Sequence, residues 1–147
     1  MRTRLATASL LAVGLAVADV VVARATAHLH IEHAHHRSNG WVVLSLADCL
    51  VGLLLTRIPS RLLAAGSALL LGGALGNLAD AVTHHGYVAN PFVIRGGDGG
   101  VAFNLADVFA LTGIAVLVAG SIRMTFRYRH LLPQSTVAVR LARRLVR

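Results

Sequence analysis

The sequence predicts an all-α membrane protein of four transmembrane helices with a small extracytoplasmic loop region. Three observations carry that prediction. Apolar residues make up 56% of the 147-residue chain, and the mean hydropathy is +0.69. Charged residues are only 14%, against about a quarter in an ordinary soluble domain. The apolar residues fall into segments near the length a bilayer demands, about 20 residues of helix and sometimes as few as about 17.

The first segment runs over about 5–27, from Leu5 to about Ala27. Arg2 and Arg4 ahead of it, with "ATA" at 25–27, also resemble a cleavable signal peptide. The run is long for that purpose and contains Asp19, so a retained span is the preferred reading. The second segment, 41–55 from Trp41 to Leu55, is short. It is followed by "TRIPSR" at 56–61, whose Pro59 and two arginines read as a tight turn. The third segment runs over 62–81. After it, 82–104 contains Pro91 and four glycines from Gly96 to Gly100 interrupted by Asp98, and reads as an irregular loop. The fourth runs over 105–122 and leads into a basic tail, 123–147. The whole, 1–147, reads as one integral membrane domain.

All fourteen basic residues are arginine, and their distribution sets an orientation. With the N-terminus inside, eleven arginines are cytoplasmic: Arg2, Arg4, Arg57, Arg61 and seven from Arg123 to Arg147. Only Arg24, Arg37 and Arg95 lie outside. This positive-inside bias predicts a multi-pass membrane protein with both termini cytoplasmic. The net charge of +8 is not read as nucleic-acid binding, because the arginines mark segment ends and no aromatic residues interleave with them. The tail, without a single acid, is expected on the anionic inner leaflet. Cys49, alone in the chain, forms no internal disulfide and reads as a small buried side chain. "LADC" at 46–49 is a poor lipidation site, since Asp48 stands where a small residue is needed.

The acids are the informative residues. There are six, and four of them, Asp19, Asp48, Asp80 and Asp107, fall one on each span. A carboxylate in hydrocarbon costs about 2.5–3.5 kcal/mol even on lenient scales, so this pattern points to function. By residue counting all four lie toward the outer side, where packed helices could aim them into one polar cavity. Asn77 precedes Asp80, and Asn104 precedes Asp107, by three residues in the repeated "NLAD" of 77–80 and 104–107. That spacing shares a helix face, so each Asn could orient its Asp or a water, or could cap or bridge helices. Two carboxylates across a water can hydrolyse an amide, one taking the water's proton and the other protonating the leaving amine. Neither metal nor cofactor is required.

"LLLGGALGNLAD" at 69–80, "GYVANPF" at 86–92 and "FNLADVFALTG" at 103–113 together resemble the blocks of the lipoprotein signal peptidase (signal peptidase II) family. The resemblance implies a four-span aspartic endopeptidase of the bacterial inner membrane that removes signal peptides from prolipoproteins. Its partners would be prolipoprotein signal peptides and lipid, with no nucleic acid and no cofactor, and it would act as a monomer. It implies that Asp107 is one catalytic aspartate. The position of the other holds Asn90, with Pro91 inserted before Phe92, and an asparagine is neither acid nor base. Asp80, Asp48 or Asp98 could then supply the second acid. The resemblance assigns Asn77, Asn104, Asp19 and Gly76 to binding and orienting the substrate. The sequence departs further from the family in Ala81 after Asp80, in Ala23 four residues after Asp19, and in a reduced Asn39-Gly40-Trp41 block. A family member that binds lipoprotein-like substrates without cutting them is the alternative.

"HLHIEHAHH" at 28–36 gives a reading of another class. Five histidines with Glu32 could hold a transition metal, making the chain a membrane metal-handling protein. Such a loose cluster fixes no ligand geometry, so a solvated, pH-sensitive loop is the simpler reading and no metal ligand is assigned. His84 and His85 lie near Asp80 in sequence and could join a metal or a headgroup site.

Overall fold

A computed structural model describes residues 2–26, 35–96 and 99–131. In chain order these form α1 (Arg2–Thr26), β1 (His35–His36), α2 (Asn39–Leu55), α3 (Arg61–Thr83), β2 (Tyr87–Val88), β3 (Phe92–Gly96), β4 (Gly99–Phe103) and α4 (Leu105–Arg127), followed by a 3-10 turn at Arg129–Leu131. Three helical stretches, Leu5–Thr26, Arg61–Thr83 and Leu105–Arg127, are long and apolar enough to cross a membrane; α2 is apolar but shorter. This is a helical membrane protein, as the composition predicts. Ser38 caps α2 by accepting from the Trp41 N–H, and Ser60 caps α3 by accepting from the Leu63 N–H. Ile58 and Ser60 close the turn between these helices on carbonyls of Leu55 and Ile58. The fourth helix runs five residues beyond the expected end at 122, to Arg127, because Arg123 and Arg127 can keep their charges at its end while their stems stay helical.

The bundle is organised around α3. Of its membrane-spanning window 61% is buried, against 17% for α1 and 22% for α4, so α3 is the inner helix and the others present their apolar sides outward. Small residues let the backbones approach. A Cβ on Gly72 would lie 2.7 Å from Leu15 Cβ of α1; one on Gly66 would lie 2.9 Å from the Leu117 N of α4; one on Gly73 would run into the Ala106 carbonyl. The glycines thus serve two faces, Gly72 toward α1, Gly66 and Gly73 toward α4. A Cβ on Gly52 of α2 would meet Leu71. These pairings run up, down, up, down. They gather the start of α1, the 56–60 turn and the end of α4 at one pole, which holds most of the described arginines, whereas Arg24, Arg37 and Arg95 lie toward the other. At the first pole Leu63, Leu70 and Leu117 make the buried apolar cluster, with Leu55, Ile58 and Met124 against it.

The other pole is not the irregular loop expected over 82–104. After α3 the chain reverses through His85 (φ 54°) and Gly86 (φ 91°), with the Gly86 N–H on the Ala81 carbonyl at 2.7 Å. This is a Schellman-type stop, and its left-handed positions explain the glycine. β2 then pairs antiparallel with β1, Val88 opposite His35 and Tyr87 opposite His36. β3 and β4 form a hairpin from the Phe92–Phe103 pair out to Gly96–Gly99. The two phenylalanine rings stack 5.7 Å apart at its base. Glycines read as loop-formers belong to the hairpin's outer end. Its base matters most: it holds the residues just before Phe92 beside Asn104, the first residue after Phe103.

Candidate active site

Asn104 is the N-cap of α4. Its Oδ1 accepts from the Asp107 N–H at 2.8 Å, and Asp107 Oδ2 accepts in return from the Asn104 N–H at 3.3 Å, completing a capping box. The Asn104 amide donates twice more, to Asn77 Oδ1 at 2.7 Å and to the Ala89 carbonyl at 3.2 Å. Asn77 in turn donates its amide to Asp107 Oδ1 at 2.9 Å. Asn77, Asn104 and Asp107 are therefore one closed ring of hydrogen bonds between α3 and α4. Asn77 does not serve Asp80, its neighbour three residues on, as the spacing suggested was possible. The glycine approach at Gly73 and Ala106 brings α4 within reach, and Asn77 bonds across the interface instead.

Asp19 and Asp80 flank this ring. Asp19, 2% exposed, accepts the Ala106 N–H at 2.8 Å, a free donor of the first turn of α4. Gly76 makes room for it, since a Cβ there would stand 3.0 Å from Asp19 Oδ2 and 3.2 Å from Ala106 Cβ. Asp80 accepts the Ala89 N–H at 2.7 Å on one oxygen and pairs with His84 Nδ1 at 2.8 Å on the other. Ala89 is thereby gripped from both sides, its N–H by Asp80 and its carbonyl by Asn104.

Asn90 follows at once. It is 2% exposed, its Nδ2 lies 2.9 Å from His35 Nδ1, and its buried Oδ1 has no partner among the described residues. The structure thus brings Asp19, Gly76, Asn77, Asp80, Asn90, Asn104 and Asp107 to one pole. Asp48 does not join them. Gly52 lies against Leu71, so Asp48 comes opposite the Leu75 region, about 7 Å along the axis short of Asp80. It is half-buried there and bonded to none of the group. Asp98, Glu32, His28, His30 and His33 lie outside the described residues. His35 and His36 are exposed yet ordered in β1, and His35 reaches Asn90. That contact had no signal in the sequence beyond the density of histidines. His84 did: it follows Asp80 by four residues, one helical turn.

A family model described as signal peptidase (SPase) II matches residues 20–123, more than half of the chain. The chain belongs to the signal peptidase II family. The match takes in α2, α3, the hairpin and α4 as far as Arg123, and so all the polar residues just described except Asp19, which precedes it by one residue. A curated lipoprotein signal peptidase of Azoarcus sp. (strain BH72) is 34% identical over 87 residues, covering 56% of this chain. That alignment takes in about half, 49%, of the relative's own length. A solved structure described as "Bacterial membrane enzyme structure by the in meso method at 2.3 A resolution" superimposes with a TM-score of 0.65 at 19% identity, covering 82% of this chain and 90% of the other. At that identity it supports the fold. Signal peptidase II is a bacterial membrane protease family, and the apolar helices here agree with insertion in a membrane.

Proposed function

We propose that the chain is an aspartic endopeptidase of the signal peptidase II type that removes signal peptides from prolipoproteins at the outer face of the bacterial inner membrane. It spans the membrane four times, α2 included, works as a monomer and has both termini cytoplasmic. The observation that carries the reading is the Asn77–Asn104–Asp107 ring. It fixes an intramembrane carboxylate at the pole opposite most of the arginines, in a chain of this family. Asp107 takes the acid–base role. Asn77 and Asn104 hold it, and Asp19 and Gly76 fix the start of α4 beneath it. Hydrolysis needs a second proton-transfer group. Asp80 is the carboxylate bonded to the segment that carries Asn90, which makes it the candidate second acid.

The test is cleavage of a diacylglyceryl-modified prolipoprotein by the purified protein. Asp107→Asn should abolish cleavage, at least a hundredfold by the usual worth of acid–base catalysis (about 10²–10⁴), while the protein still purifies folded from the membrane. Undiminished turnover in that variant would remove Asp107 from the mechanism.

The alternative reading, a member that binds lipoprotein-like substrates without cutting them, rests on the resemblance of 86–92, which puts an amide, Asn90, at the position of the family's second aspartate. Wild type that binds the lipidated precursor and leaves it intact would decide for it.

A further inference from the structure

At the arginine pole, a cavity of about 350 Å³ opens between the α2–α3 turn and the last turns of α4. Arg61, Arg123 and Arg127 line it, together with Ser60, Leu62 and Met124. We propose that it is a binding site for one anionic phospholipid, the three guanidinium groups holding the phosphate and the apolar wall taking the start of an acyl chain. The inference does not depend on the peptidase reading.

The argument begins with charge. No carboxylate pairs with any of these arginines among the described residues. The sequence makes a partner hard to supply, since no Asp or Glu occurs between Asp48 and Asp80 or anywhere after Asp107. Three like charges around one concavity repel one another unless an anion sits between them. Guanidinium groups match a phosphate with paired N–H donors. The cavity is large enough for a small ligand, the common range being about 300–1,000 Å³. The second part of the argument is placement. The cavity lies at the end of the spans, where Leu62 and Ile122 are exposed on the flanks of α3 and α4. A ligand there has water on one side and acyl chains on the other. A phosphate ester with a lipid tail satisfies both, and basic pockets between helix ends are a known form of headgroup recognition.

The test is native mass spectrometry of the full chain in a neutral detergent, titrated with dioleoyl phosphatidylglycerol or dioleoyl phosphatidylcholine. One phosphatidylglycerol should be retained with at least about tenfold preference over phosphatidylcholine. The triple variant Arg61→Gln, Arg123→Gln, Arg127→Gln should bind it about a hundredfold more weakly, at the free energy expected per arginine near a headgroup. The corresponding Lys variants should recover part of that loss. Arg95→Gln at the opposite pole should bind as wild type does, and far-ultraviolet circular dichroism should show the helices of every variant intact. Equal retention of the two lipids, or undiminished binding by the triple variant, would overturn the proposal. So would inorganic phosphate that displaces the lipid at comparable concentration, since it would make the occupant a soluble anion.

Discussion

Asn104 uses its whole amide: the oxygen caps α4 and the two N–H groups tie α4 to Asn77 and to Ala89. Those duties can be separated. Asn104→Ala removes all of them and should lower stability by about 2–4 kcal/mol, the sum of a cap, one buried and one part-buried hydrogen bond. Asn104→Ser keeps a capping oxygen, so it should lose less stability, yet it releases Ala89 and Asn77 and should lower cleavage as far as the alanine does. Unfolding in detergent and the cleavage assay, run side by side, would show it; activity that simply follows stability would reduce Asn104 to a cap. Asn90 supports a prediction in the opposite direction. Asn90→Asp places a carboxylate on the residue next to Ala89, which Asn104 grips, and carboxylates that share a site do not both ionise easily. Cleavage should rise, from nothing or from a low rate, and the rise should vanish when Asp107→Asn is added. An active wild type indifferent to Asn90→Asp but silenced by Asp80→Asn, with the fold intact, would leave the second role with Asp80 alone. The repeated Asn and Asp were legible in the sequence because polar residues stand out against an apolar run. The crossed bond from Asn77 to Asp107 and the reach of His35 to Asn90 were not, since each joins residues far apart in the chain whose approach depends on packing.

At the scale of elements, close approach to α3 is written in glycine. Gly73 lies where any side chain would strike the Ala106 carbonyl and Ala110, whereas a Cβ on Gly14 of α1 would meet nothing. Gly73→Ala should therefore push α4 away, lower the unfolding midpoint and loosen the Asn77–Asp107 bond, with loss of cleavage. Overpacking of this kind usually costs about 1–3 kcal/mol. Gly14→Ala should leave cleavage unchanged and raise stability by up to about 1 kcal/mol, because alanine is the better helix former. Thermal unfolding of both variants in one detergent would check the contrast, and a destabilised Gly14→Ala would contradict the lipid-facing position of that residue. The helices were legible because a bilayer imposes a length and a composition. The β3–β4 hairpin was not: its glycine-rich outer end resembles a loop, and its pairing is set by Phe92 and Phe103, eleven residues apart.

For the molecule as a whole, the polar network and most of the arginines lie at opposite poles. If the arginine bias sets the orientation, a single cysteine at Ile94 in the hairpin should react with an impermeant maleimide on intact spheroplasts. One at Arg57 should react only after permeabilisation, both in a Cys49→Ala background. The reverse pattern would put Asp107 on the cytoplasmic side and end the proposed role. The central place of α3 also bears on how the protein is made. α3 is the least hydropathic of the three long helices, and its small and polar residues are suited to neighbours rather than to lipid. When it leaves the ribosome α1 and α2 precede it, but α4 is still to come. Until then the groove at Gly66 and Gly73 stands open, Asn77 lacks its acceptor, and the Ala89 carbonyl lacks Asn104. Biogenesis therefore passes through a three-helix stage with unsatisfied amides at the membrane surface. The arrival of α4 closes that stage and assembles the Asn77–Asn104–Asp107 ring in the same event, so a nascent chain has no such ring until its last span has docked.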